Sequence, residues 1–158
     1  MPGSPDHRRR WLGRAATVVV ALGSCAAPPP APRLAGLGTV VVTIRDLRHD
    51  DGMVLVNLFL GPDGFPGDPR AAHAAVAAPI RGGAVEVRFE RVPAGPFAVA
   101  AFHDEDGDRE LDADLLGIPT EPWGVSRDAA GFLGPPSFDT ARLELRAGEV
   151  LEIEIGVG

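Results

Sequence analysis

Between Asp104 and Asp114 the chain carries seven carboxylates and a single basic group, Arg109. Asp104, Asp106 and Asp108 stand at positions i, i+2 and i+4, so that short acidic side chains can turn inward while the backbone curls around an ion. Hard Ca²⁺ takes about six to eight oxygens. In that role Asp104, Asp106 and Asp108 fill loop positions 1, 3 and 5, the Glu110 carbonyl fills position 7 and Asp112 position 9, with Asp114 or Glu121 completing the shell. Two departures separate the segment from an EF-hand. Arg109 occupies the place of the sharp-turn glycine, and Leu115 stands where a bidentate glutamate belongs. The competing assignment is a solvated acidic turn after a strand.

Other side chains offer weaker chemistry. His103 adjoins Asp104 and would serve a small hydrolase as general base, but the available hydroxyls, Ser126 and Ser137, lie outside any G-x-S-x-G context. We therefore expect a histidine bonded locally at a strand end and no catalytic residues. His49 and His73 have no partner at ligand spacing, so a zinc site is not expected. Phe65, Trp123, Phe132 and Phe138 lie in loops rich in glycine and proline. Such aromatics either form a platform for a glycan or peptide or plug the open ends of a sandwich, and plugging is the expectation.

The elements that must position these groups read as β. Thr39–Leu47 is β-branched and leads through His49-Asp50-Asp51-Gly52 into the apolar run Met53–Leu60, the signature of a hairpin. Prolines and glycines exclude regular structure from Gly61 to Pro69, and Arg70–Ala75 suits a short helical turn. Ala77–Ile80 and Ala84–Val92 flank Gly82-Gly83 as a second expected hairpin. In the latter run Val85, Val87 and Phe89 alternate with Glu86, Arg88 and Glu90, giving one buried and one wet face. Phe97–Phe102 delivers the acidic segment, and Leu115, Leu116 and Ile118 are expected to re-enter the core behind it. Ala141–Arg146 and Val150–Ile155 alternate around Ala147-Gly148-Glu149. About seven short strands and no amphipathic helix of useful length predict an all-β antiparallel sandwich, immunoglobulin-like or prealbumin-like, with long Gly/Pro-rich loops.

The N-terminal segment reads as an address. Arg8-Arg9-Arg10 is a basic n-region ahead of the mostly apolar run Trp11–Leu22, which is too short for a comfortable membrane span. Residues 1–24 are thus expected to be a signal peptide, exported by the general route or, given Arg8-Arg9-Arg10-Trp11-Leu12, by the twin-arginine route. Leu22-Gly23-Ser24-Cys25 is similar to a lipobox, which makes Cys25 a lipidation site and anchors the protein to a membrane. A conventional cleavage site nearby is the alternative. Cys25 is the sole cysteine, so no intramolecular disulfide forms. Residues 25–37 continue as a proline-rich tether, and the domain spans 38–156.

Removing residues 1–24 takes away four arginines and one aspartate, so the formal charge of -7 becomes -10. No basic face then remains to displace counterions from phosphates, which excludes nucleic acid as a partner. The abundance of Ala, Gly and Pro, the absence of Tyr and the use of Arg for every basic residue reflect a GC-rich coding bias. The expected location is periplasmic or outer-membrane-associated, with an envelope glycan or peptide as alternative ligand and no protein partner indicated.

Asp63-Gly64-Phe65-Pro66-Gly67, Ala100–Asp108, Leu111-Asp112, Leu116–Pro119, Glu121, Trp123–Ser126 and Phe132–Phe138 occur in one order. Together they strongly resemble the bacterial exported proteins catalogued as domain of unknown function 2141, over about residues 38–156. Members of that family typically read F-x-D-x-N-G-N-G-K-L-D at the acidic segment. Arg109 here replaces the loop glycine, and Asp106 and Asp108 replace asparagines, adding charge that favours a cation. The resemblance implies that the loops bearing Phe65, Trp123 and Phe132–Phe138 share one surface with the acidic loop. It implies no activity.

Overall fold

The computed structural model describes residues 36–131 and 134–158. The expected signal peptide, Cys25, the expected tether as far as residue 35, and Phe132 lie outside the described residues. Among the described residues eight strands form: β1 (Leu37–Arg45), β2 (Met53–Phe59), β3 (Ala74–Pro79), β4 (Val85–Pro93), β5 (Gly95–Asp104), β6 (Trp123–Val125), β7 (Leu143–Leu145) and β8 (Val150–Gly156). They build two sheets, one in the order β4-β1-β8 and one in the order β3-β2-β5-β6, with β7 paired to the start of β5. The protein is all-β, as its alternating pattern predicts. One pair departs from the antiparallel expectation: β1 and β8 run parallel, Thr39 beside Val150 through to Arg45 beside Gly156. Strands from opposite ends of the domain need no tight turn between them, so nothing local forces them to be antiparallel.

The two expected hairpins are not hairpins. Asp51-Gly52 joins β1 of the first sheet to β2 of the second, and Gly82-Gly83 joins β3 of the second to β4 of the first, with only an Arg81–Ala84 bridge at the turn. The antiparallel neighbours β2–β3 and β5–β6 are instead connected by the long segments 60–73 and 105–122. A turn dipeptide dictates that the chain reverses, but alternating strands on either side can meet face to face across a core as readily as edge to edge.

Inward residues Val40, Val42 and Ile44 of β1, Val54, Val56 and Leu58 of β2, and Phe97, Val99 and Ala101 of β5 close on Val85, Val87 and Phe89 of β4. Strand β4 buries both Phe89 and Val92, three residues apart, because its pairing with β1 slips between Gly38 and Val40. Arg91, at φ 59°, accommodates the extra residue. Strand β5 is apolar on both faces. Its outward residues Ala98 and Ala100 join Phe59, Val125, Phe138 and Ala141 in a second, smaller core, sealed by Phe65 and Trp123. The connections carry 3₁₀ turns at Pro69–Ala71 and Ser126–Asp128 and a helical turn α1 (Phe138–Ala141) capped by the Ser137 hydroxyl; α1 takes Ala141 from the expected strand Ala141–Arg146, of which Leu143–Leu145 forms as β7.

Asp50 ties two of the inter-sheet connections together. Its carboxylate accepts from the amides of Gly82 and Gly83 at 2.8 and 2.9 Å, which hold its pKa below the ordinary value of 3.8, aided by the neighbouring His49. A carboxyl depressed in the folded state stabilises above its unfolded pKa and loses that contribution as pH falls through the lower folded value. Asp50→Ala is therefore expected to lower the urea midpoint at pH 7, with the gap to the parent protein narrowing below pH about 3.8. Urea melts at both pH values check this, and a gap that stays constant with pH contradicts it.

Candidate functional site

The site begins where β5 ends. Because residues alternate along a strand, His103 follows Phe97, Val99 and Ala101 on the inner face, and it is fully buried. Its Nε2 donates to the Asp51 carbonyl at 2.7 Å, and among the described residues no hydrogen-bond partner reaches Nδ1. Asp104 is also fully buried, as the last residue of the strand.

A buried carboxylate must be hydrogen-bonded or paired. Asp104 is satisfied by the loop it starts: Oδ1 accepts from Gly107 at 2.8 Å and Oδ2 from Arg109 at 3.1 Å. Asp106 accepts from the Asp108 amide at 3.1 Å, and Asp108 from the Glu110 amide at 2.7 Å, so each aspartate bends the backbone after it. These turns bring one oxygen from each of Asp104, Asp106 and Asp108 within 4.8 Å of one another. Arg109 sits at φ 68°. That is the left-handed conformation a glycine would adopt freely, held here by a residue for which it costs about 1–2 kcal/mol.

Among the described residues no basic side chain pairs with Asp104, Asp106 or Asp108. The three carboxylates therefore raise a concentrated negative potential at one end of the sandwich. The structure does not bring Glu110, Asp112 or Asp114 into that group. Asp114 belongs to the tip, where its Oδ1 accepts from Leu116 at 2.8 Å and Ile118 at 2.9 Å. Asp112 lies at the base of the same turn, its carbonyl accepting from Thr120 at 2.8 Å.

Glu121 has a larger role than its sequence position suggests. Buried, it accepts from the Glu105 amide at 2.8 Å and from the Asp112 amide at 3.2 Å, clamping the loop at both ends. The sequence marks it as a candidate to complete the calcium shell, and its placement between Pro119 and Pro122 in a stiff segment is the signal for this structural role.

The expectation that Leu115, Leu116 and Ile118 re-enter the core is incorrect. The Ala113–Pro119 bridge and the Asp114 turn project them outward, with Leu115 fully exposed and Leu116 at 83%. Hydrogen-bond geometry of the aspartate turn overrides the apolar pattern here.

Of the loop aromatics, Phe65 stands edge-to-face on Phe59 and Phe138, with ring centroids 5.4 and 5.8 Å apart. Phe65 and Phe138 therefore pack over the outer face of β5, where Phe138 is buried. Trp123 is half-buried and lines a groove of about 540 Å³ with Arg45, Asp46 and Asp128. Ser126 is fully buried, its hydroxyl donating to Ala141 at 2.7 Å and accepting from Val99 at 3.1 Å. Ser137 caps α1. Both hydroxyls are thus engaged by backbone and neither bonds His103.

Replacing Glu121 by alanine leaves the Glu105 and Asp112 amides without their acceptor. The expected loss is about 1–3 kcal/mol in chemical unfolding. A loss below 0.5 kcal/mol would show that the clamp does not hold the loop.

The chain matches, over residues 42–153, the family described as an uncharacterized protein conserved in bacteria (DUF2141), and it belongs to that family. No curated protein and no solved structure matches it.

Proposed function

We propose that this chain is an exported, envelope-tethered, non-enzymatic β-sandwich whose acidic loop binds Ca²⁺. The observation that carries the reading is the convergence of Asp104, Asp106 and Asp108 at the end of β5, without a neutralising cation among the described residues. The left-handed backbone at Arg109 supports it, because loop position 6 of a calcium loop requires that turn. Calcium would remove the mutual repulsion of the three carboxylates and fix the segment between β5 and β6. Its consequence lies at the tip, where Leu115, Leu116 and Ile118 would be held in one orientation for a partner in the envelope. The anchor in this reading is a lipid on Cys25, with the proline-rich tether spacing the domain from the membrane.

An affinity in the extracellular range of roughly 10⁻⁴–10⁻³ M gives a stabilisation of about 1.4–2.7 kcal/mol at 10 mM Ca²⁺. The melting temperature should rise by about 4–10 °C in the parent protein and stay unchanged in Asp106→Asn/Asp108→Asn. An equal shift in both proteins, or none in either, removes the metal from the account. For the anchor, Cys25→Ser expressed in a bacterial host should move the protein from the membrane fraction to the soluble fraction. Retention in the membrane fraction contradicts lipidation.

A further inference from the structure

A second group of potential ligands lies on the other side of the strand end. His49, on the connection from β1 to β2, meets His103 edge-on with ring centroids 4.8 Å apart and an interplanar angle of 60°. One ligand atom from each of His49, His103 and Glu105 lies within 4.8 Å of the other two. The sequence gives no hint of this, because His49 and His103 are far apart in the chain and belong to no ligand-spaced motif.

The chemical state of His103 is informative. Its Nε2 faces a carbonyl, which only accepts, so Nε2 carries the hydrogen. In the neutral ring Nδ1 is then a bare lone pair, fully buried and without a partner among the described residues. Buried polar atoms without partners are rare in folded proteins, and an ion is one of the few features that explains them. A histidine whose far nitrogen donates to a backbone carbonyl is also the arrangement that orients a metal ligand and fixes its tautomer. Glu105 repeats the pattern: its Oε1 is buried and makes no hydrogen bond among the described residues, although His49 Nε2 lies 3.4 Å away and the exposed Arg48 Nη1 lies 4.0 Å away. For ligand bonds of about 2.0–2.2 Å, neighbouring corners of a tetrahedron are roughly 3.4 Å apart. His49 and Glu105 already stand at that separation. His49 is partly exposed, which gives an ion a path from solvent, and Asp51 lies 3.9 Å from its Nδ1.

From this geometry we infer that His49, His103 and Glu105 form a site for a divalent transition-metal ion of the zinc class, with a fourth position open to water or an outside ligand. Two imidazoles and one carboxylate suit a borderline ion and not Ca²⁺, which takes oxygen. The inference goes beyond the calcium reading and does not depend on it, since the two sites share no side chain. An ion here would staple the β1–β2 connection to the start of the acidic loop.

The test is a zinc titration by calorimetry on the full chain carrying Cys25→Ser, so that no thiol competes, with and without about 10 mM Ca²⁺. One zinc per chain is expected, weakened at least about tenfold by His49→Ala and by Glu105→Gln, and unchanged by Asp106→Asn/Asp108→Asn. Nitrogen-15 spectra of the imidazoles should show the His103 Nδ1 resonance shifting on zinc addition while Nε2 remains protonated. Zinc binding that survives both His49→Ala and Glu105→Gln overturns the site, as does the absence of binding by the folded parent protein at about 100 µM zinc. Binding lost in Asp106→Asn/Asp108→Asn, or displaced by calcium, also overturns it by placing the ion in the aspartate loop.

Discussion

The acidic end of this protein depends on two buried carboxylates that have no basic partner among the described residues. Asp104 and Glu121 accept four backbone amides between them, from Glu105, Gly107, Arg109 and Asp112. Charge taken out of water is tolerable only when it is satisfied, and here the loop backbone satisfies it. The bonds run both ways in effect: the carboxylates require the amides, and the amides fix the path of residues 105–112. The turns that gather Asp106 and Asp108 beside Asp104, and the projection of the apolar tip, follow from that path.

The sandwich makes this arrangement possible. Strand β5 is central, with β2 and β6 along its edges and an apolar layer on each face, so its last residues are held firmly. His103 and Asp104 inherit that burial. The second core over the outer face, made largely of Phe59, Phe65 and Phe138, explains why the Gly/Pro-rich loops carry aromatics: they cover the outward alanines Ala98 and Ala100 of β5.

Much of the fold was legible. Alternation marked β4 and the two terminal runs that form β7 and β8, and the acidic spacing marked the loop that does gather three aspartates. Pairing was less legible, because Asp51-Gly52 and Gly82-Gly83 indicate reversal without indicating which sheet the next strand enters. Leu115, Leu116 and Ile118 misled because hydropathy favours burial, whereas the Asp114 side chain bonds two amides and turns the segment outward. The approach of His49 to His103 was invisible in sequence, since it arises from crossing between sheets. Glu121 was visible only as one more acid near the loop, and its bonds to both ends of the segment required the fold.

The loop is built around Asp104 and Glu121 without any ion, and the proposed calcium would then order its exposed half. Amide hydrogen exchange resolved by residue, with and without about 10 mM calcium, tests it directly. Without calcium, the amides of Glu105, Gly107, Arg109 and Asp112 should exchange slowly. With calcium, the Asp108 and Glu110 amides should slow further. Exchange of all six at the unprotected rate in both conditions would contradict the account.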